Sequence, residues 1–329
     1  MRKKRILMIF VLLNVIGLVA NIYCGSASIA IGDITDVLTG KDIDNSAISY
    51  IVLHSRIPAA ATALLTGASL GVCGLLLQSY FRNPLAGPSI LGITSGANLA
   101  VAICTLGFGM ISGFTLTMSS MAGAMLILLI LLALSKIVRQ AVTLLIVGIL
   151  ISYLTNAIIT LLNYYSTSEG VQSLLIWGMG NFNGVGSGNL LLFALLNIIG
   201  IAMSVFLVKP LNGWMLGEQY AANLGISINR TRLLTLVTTG LLSAVTTAYC
   251  GPIAFVGLSV PHIARMMMKT DNHRSLLPAS ALLGALCTSL CLLISTLPTD
   301  GQLLPINALT PIFGIPVIVY VILCKNTKN

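Results

Sequence analysis

Ten long apolar runs, each of roughly bilayer-spanning length, constrain this chain more than any other feature. They occupy roughly residues 6–24, 58–80, 89–108, 114–135, 141–164, 189–208, 233–250, 252–268, 276–297 and 305–323. A hydrocarbon core about 30 Å thick takes about 20 apolar residues to cross as a helix. The stretch 233–268 is long enough for two spans and is divided at Gly251-Pro252. Charged residues make up only 8% of the 329, against roughly 25% in a soluble domain. The expectation is an all-α polytopic membrane protein, a single transmembrane domain over residues 1–329. The first run follows Arg2-Lys3-Lys4-Arg5 and mimics a signal peptide. It is long for a signal core and no small-x-small site follows, so it reads as an uncleaved first span.

The charges agree with ten crossings. With the N-terminus in the cytosol, 15 of the 17 Lys and Arg fall inside, including Arg82, Lys136, Arg139, Lys209, Arg230, Arg232, Arg265, Lys269, Arg274, Lys325 and Lys328. Only Lys41 and Arg56 fall outside. Six of the eight acids fall outside: Asp33, Asp36, Asp42, Asp44, Glu169 and Asp300. This is the positive-inside bias, and it places both termini in the cytosol. The net charge of +9 therefore reports orientation rather than nucleic-acid binding.

No Asp, Glu, Lys or Arg lies mid-span on this drawing. An intramembrane charge costs about 2.5–3.5 kcal/mol on insertion scales, and ion-coupled carriers retain one because their mechanism needs it. The expectation is that energy for uphill transport comes from another polypeptide; a secondary carrier is the alternative class. A membrane-embedded enzyme would need clustered His, Asp or Glu, and the three histidines are scattered. The seven cysteines form no C-x-x-C pair and read as small buried hydrophobes. No catalytic, metal or cofactor residue is expected.

Neutral polar residues recur inside spans. Ser152, Asn156 and Thr160 share one face of the fifth at i+4 spacing, and Thr235, Thr239, Ser243 and Thr246 nearly do so in the seventh. Two readings stay open for both sets: helix glue, or the wall of a translocation path.

The second and third runs are separated by Arg82-Asn83-Pro84. Pro84 and Pro88 each remove a backbone N–H, and Gly87 is expected to make the sharp turn. Irregular backbone at a membrane must be satisfied by protein or by a water-filled cavity, so this break is expected at one mouth of a pathway. Gly87-Pro88-Ser89-Ile90-Leu91-Gly92 is echoed by Gly251-Pro252-Ile253-Ala254-Phe255-Val256-Gly257. Paired Gly/Pro breaks in spans of opposite direction suggest an inverted-topology repeat.

The longest cytosolic connection is 209–232. Leu216, Tyr220 and Leu224 recur at i+4, with Ala221 beside them and Glu218 in the first turn. A short helix ended by Gly225 is expected, either docking a cytosolic partner or resting on lipid headgroups. Outside, Ser173 to Met179 is expected as a half-helix with Trp177 as an interface anchor. Arg56 is open between a partner within the chain and an acidic external protein. His262 reads as a packed, hydrogen-bonded histidine and His273 as part of a solvated inner turn.

Taken in order, several motifs resemble one family. They are Arg56-Ile57-Pro58, Gly67-Ala68 with Gly74 and Gln78, and Phe81-Arg82-Asn83-Pro84-Leu85-Ala86 with Pro88 and Leu91-Gly92. They continue through Trp177-Gly178, Leu216-Gly217-Glu218, Ala221 with Leu224-Gly225, Gly251 to Leu258, Pro261-His262-Ile263-Ala264-Arg265, His273-Arg274 and Gly314-Ile315-Pro316. The chain resembles the permease subunits of type II ABC importers for iron–siderophore complexes, haem and vitamin B12. The resemblance implies ten spans in a bacterial cytoplasmic (inner) membrane and a dimer of permeases, expected as a homodimer. It also implies two cytosolic ATPases that hold the ATP and Mg, and an external solute-binding protein. It assigns ATPase coupling to Leu216, Gly217, Glu218, Ala221, Leu224 and Gly225, and the cytosolic gate to Asn83, Pro84 and Leu85. Binding-protein docking falls to Arg56. The family often has a second basic residue after Arg-x-Pro, where Ala59 and Ala60 stand here. It often ends the ninth span in Asp-x-x-x-Arg, where Ser295 to Thr299 stand, and flanks the last proline with Glu and Gly, here Leu303 and Asn307. These departures thin the expected cationic landing surface outside.

Overall fold

The computed structural model describes residues 2–41, 46–138, 140–297 and 303–326. Asp42, Asp44, Arg139, Pro298, Thr299, Asp300 and Lys328 lie outside the described residues. Among the described residues there are fifteen α-helices: α1 (Arg2–Tyr23), α2 (Ile31–Leu38), α3 (Ser46–Ile51), α4 (Ile57–Tyr80), α5 (Ile93–Ala102), α6 (Gly113–Ile137), α7 (Ala141–Tyr165), α8 (Ser168–Gly178), α9 (Ser187–Phe206), α10 (Val208–Trp214), α11 (Glu218–Asn223), α12 (Ile228–Cys250), α13 (Val256–Met268), α14 (His273–Ser295) and α15 (Ile306–Asn326). Each of the ten apolar runs became a helix. Among the described residues, seven helices are long and apolar enough to cross a membrane: α1, α6, α7, α9, α12, α14 and the continuous stretch Ser46–Tyr80.

The helix α4 is the centre. Its 24 residues reach about 36 Å at 1.5 Å per residue. Apolar and small side chains cover every side of it, so it is buried all round, against α14, α12, α13, α9 and α1. A stripe of Gly67, Gly71 and Gly74 makes this possible. A Cβ at Gly67 would overlap the Gly284 carbonyl, one at Gly71 the Ser280 carbonyl, and one at Gly74 the Gly257 carbonyl. Without a hydrophobic force between helices in lipid, close backbone approach of this kind supplies the packing. Gly96 and Gly123 join α5 to α6 in the same way. The outer helices α1, α7 and α9 bury about a fifth of their spans and turn Ile9, Leu12, Ile16, Leu150 and Leu161 outward.

The polar residues of α12 are packed inside the protein rather than lining an open path. Thr235, Thr239, Ser243 and Thr246 are essentially inaccessible, and the Thr239 and Thr246 hydroxyls donate to Thr235 O and Leu242 O one turn back. On α1, Asn14 and Asn21 donate to Leu282 O and Ser289 O, tying that helix to α14.

Several expectations need correction. Spans three and eight are shorter than their apolar runs: α5 ends in a π-helical turn over Ile103–Gly107, and α13 has only 13 residues, about 20 Å. The region between α1 and α4 contains α2 and α3, folded over a small cluster of Ile34, Val37 and Val52. Gly87 does not make the sharp turn, since its backbone is extended. Arg82 (φ +47°) and Gly92 (φ +78°) carry the reversals.

Candidate functional site: the 83–85 turn beside the 209–232 connection

The break after α4 is held from three sides. The Asn83 side-chain oxygen accepts from Leu85 N–H at 2.9 Å, closing an Asx turn, and Asn83 N–H donates to Gln78 O at 3.2 Å. Pro84 O receives His262 Nε2 at 2.8 Å. His262 is therefore hydrogen-bonded, as expected, and its partner is the 83–85 turn itself. Leu85 is half exposed.

The two Gly/Pro-broken segments meet here. Leu85, Gly87, Pro88 and Ile90 line a cavity of about 90 Å³ with Ile253, Phe255 and Leu258. A Cβ at Gly257 would lie 2.7 Å from Pro88 Cδ. Each segment feeds a short helix through an N-cap in the left-handed region: Gly92 before α5 and Phe255 (φ +65°) before α13. Two hydrogen bonds tie the irregular lead-in to α13 to its surroundings. Cys250 O accepts from Asn181 N–H at 2.8 Å, and Ala254 N–H donates to the Asn307 side chain at 3.1 Å. Asn307 also donates from its own amides to Gly178 O and Met179 O, so one residue joins α15, the end of α8 and the lead-in to α13. The residue that departs from the family pattern is thus a structural knot.

Beside this turn, α4 and α13 share a polar pair. Gln78 donates to Leu258 O at 3.0 Å and accepts from Arg265 Nη1 at 2.6 Å. His273 is not in a solvated turn; it opens α14 and is 1% exposed. The side-chain oxygen of Asn212 accepts from both the His273 backbone N–H (2.9 Å) and Nδ1 (2.8 Å). That oxygen can only accept, so Nδ1 carries the proton and Nε2 accepts from the Ser79 hydroxyl at 2.6 Å. The imidazole is a neutral bridge between α4, α10 and α14.

The connection 209–232 folds as α10, a turn over Met215–Gly217, then α11. The helix begins after Gly217 (φ +130°), so Leu216 belongs to the turn rather than the helix. Gly225 (φ +79°) ends it. Ala221 faces inward and is fully buried, while Leu216, Tyr220 and Leu224 are 66%, 53% and 57% exposed. This side of the molecule therefore presents an apolar triplet beside the exposed acid Glu218. Next to it, Ser135, Lys136, Glu218, Asn229 and Arg232 line a crevice of about 730 Å³.

The pathway candidates separate by helix. Ser152 and Thr160 donate to Gly148 O and Asn156 O within α7, while Asn156 is exposed among Tyr153 and Leu154.

At the opposite end of α4, Arg56 is 7% exposed. Its guanidinium donates to Ile22 O and Tyr23 O (both 3.0 Å) and to Ala27 O (2.6 Å). Of its two readings, the geometry favours a partner within the chain. Arg56 caps the negative C-terminal end of α1. The other outer cation, Lys41, pairs with Asp36 at 2.8 Å, and that hydrogen bond and charge raise its pKa. Arg56→Ala is expected to destabilise the protein by about 2–3 kcal/mol, as for lost bonds to a charged donor with carbonyls left unpaired. Denaturation in detergent micelles reads this. Unchanged stability with lost capture of an external protein would return Arg56 to docking.

The signal for several of these residues was weak. Ser79, Asn212 and His273 are separated by tens to more than a hundred residues, and no spacing rule links them.

Comparison with known proteins places this geometry. The model of the FecCD transport family matches residues 12–324. The vitamin B12 import system permease proteins BtuC of Salmonella paratyphi A and Salmonella typhimurium are each 37% identical over 275 residues, 83% of both chains. A solved structure described as a metal-chelate type ABC transporter in an inward-facing conformation superposes with a TM-score of 0.85 at 30% identity. It covers 97% of this chain and 99% of that one.

Proposed function

This chain belongs to the FecCD transport family, and we propose that it imports a cobalamin, the solute named for its B12-permease relatives. It is an ABC importer permease of the type found in that family, a multi-pass protein of the inner membrane. The reading rests most heavily on 37% identity to BtuC over 83% of both chains. A metal chelate is the second reading, favoured by the likeness to the metal-chelate transporter.

In this account the chain performs no chemistry. A cytosolic ATPase binds the triplet Leu216, Tyr220 and Leu224 with Glu218, and Ala221, Gly217 and Gly225 shape that elbow. The turn Asn83-Pro84-Leu85 opens and closes the inner mouth. Two copies of the chain enclose the path, with the α7 face of Ser152, Asn156 and Thr160 toward it. An exposed amide such as Asn156 is costly against lipid and is supported where it meets water. An external solute-binding protein delivers the solute.

The test is uptake by vesicles holding the permease with its ATPase, its binding protein outside and Mg-ATP inside. Labelled cyanocobalamin, a ferric siderophore and haem are offered separately. Cobalamin uptake at least tenfold above the other two is expected. Preferential uptake of a ferric chelate or haem would overturn the cobalamin assignment and leave the importer reading in place.

A further inference from the structure

We propose that Trp214 and Arg82 form a reciprocal latch that makes the gate turn follow the coupling segment. The inference rests on the proposed roles of 83–85 as gate and of α11 as the ATPase contact.

The last carbonyls of a helix have no partner inside it. Tyr80 is the last residue of α4 and Trp214 the last of α10. The terminal carbonyl of each accepts from a side chain of the other segment. The Trp214 indole N–H donates to Tyr80 O at 2.9 Å, and Arg82 Nη2 donates to Trp214 O. Between these bonds the Tyr80 and Trp214 rings stack, with centroids 5.2 Å apart and planes 25° apart. Both rings are almost fully buried.

Two further contacts extend the latch in each direction. Gly217 N–H also donates to Trp214 O, at 3.1 Å, so the carbonyl that receives Arg82 carries the turn into α11. Arg82 immediately precedes Asn83 and holds a left-handed backbone (φ +47°), unfavourable for a residue with a Cβ. The Trp214 carbonyl is what its guanidinium gains in that position. Deeper in, Arg232 Nε donates to the Tyr80 hydroxyl at 3.0 Å, and Arg232 Nη1 donates to Ser135 O and Val138 O at the end of α6. Arg232 thus anchors the Tyr80 ring to α6 and α12. A displacement of α11 is passed to Arg82 through one carbonyl and to Tyr80 through the stacked rings. The residues that carry it are positioning residues; none needs to touch the solute.

The experiment uses the permease–ATPase complex in nanodiscs with Mg-ATP and vanadate as the probe. Spin labels at Leu85 and Ile137, both exposed, report the gate, and labels at the exposed Asn223 and Ile137 report the coupling helix. In the unaltered latch both distances are expected to shift with nucleotide. Trp214→Phe keeps an aromatic ring and removes the donor; it is expected to retain the shift at Asn223 and at least half the ATP hydrolysis, while losing most of the shift at Leu85. Arg82→Gln, on an exposed residue, is expected to act likewise, with Arg82→Lys restoring the shift, which a merely structural role would not do. A full Leu85 shift in both Trp214→Phe and Arg82→Gln would overturn the latch. No nucleotide-dependent shift at Asn223 in the parent complex would instead overturn the coupling role on which the latch depends.

Discussion

Gly74→Ala is expected to abolish accumulation of folded permease in the membrane, while Gly87→Ala leaves it unchanged. Gly74 sits in the buried stripe of α4 directly against the backbone of Gly257, and an added methyl group would overlap the Gly257 carbonyl. The obstacle is main chain on both sides, so no side-chain rotation relieves it. The Gly257 backbone cannot retreat freely either, because a Cβ at that position would already meet Pro88 and Leu70 O. A cost of roughly 3 kcal/mol, the upper end for overpacking, follows for a single methyl group. Gly87 is the control: it is extended, and a Cβ there meets nothing within 4 Å. Membrane-fraction yield and fluorescence-detected gel filtration measure both. Normal yield of Gly74→Ala would mean that α4 and α13 are not packed this closely.

Glu218→Arg is expected to leave the permease folded and to weaken its ATPase by roughly 100-fold, as when an opposite-charge contact becomes a like-charge one. Glu218 is exposed and opens α11, so the change within the chain is limited to the loss of a favourable helix-dipole contact, about 0.3–1 kcal/mol. The effect falls instead on the surface beside Leu216, Tyr220 and Leu224. Co-purification of the two subunits, with gel filtration of the permease alone, separates docking from folding. Unchanged co-purification would move the contact away from α11.

Much of this was legible in the chain. Apolar length marked a helix in each of the ten runs, seven of them of spanning length among the described residues, because lipid leaves the backbone no alternative to internal hydrogen bonding. The 83–85 break and its echo at 251–257 were visible as Gly/Pro signals, and the two do meet in the cavity beside Pro88. The i+4 pattern of Leu216, Tyr220 and Leu224 marked an exposed apolar face, although Gly217 starts the helix later than the pattern implied. What was not legible depended on distant neutral partners. His273 stands in a polar, charged loop sequence, yet the carbonyl of Asn212 and the hydroxyl of Ser79 draw it inside. Gly87 had the freedom to turn, but the turn sits at Arg82, where the Trp214 carbonyl holds it. Asn307 carries no signal in its own surroundings; its importance comes from the backbone of Gly178, Met179 and Ala254.

Among the described residues, the Asp, Glu, Lys and Arg residues occupy helix ends, short helices and connections, not the middles of long spans. The central claim is that such a body is moved from outside itself. Purified permease sealed alone into vesicles, under an imposed proton or sodium gradient, measures this most directly with labelled cyanocobalamin and a ferric siderophore as probes. The account predicts no accumulation of either until the ATPase, Mg-ATP and the binding protein are added. Gradient-driven accumulation by the permease alone would contradict it.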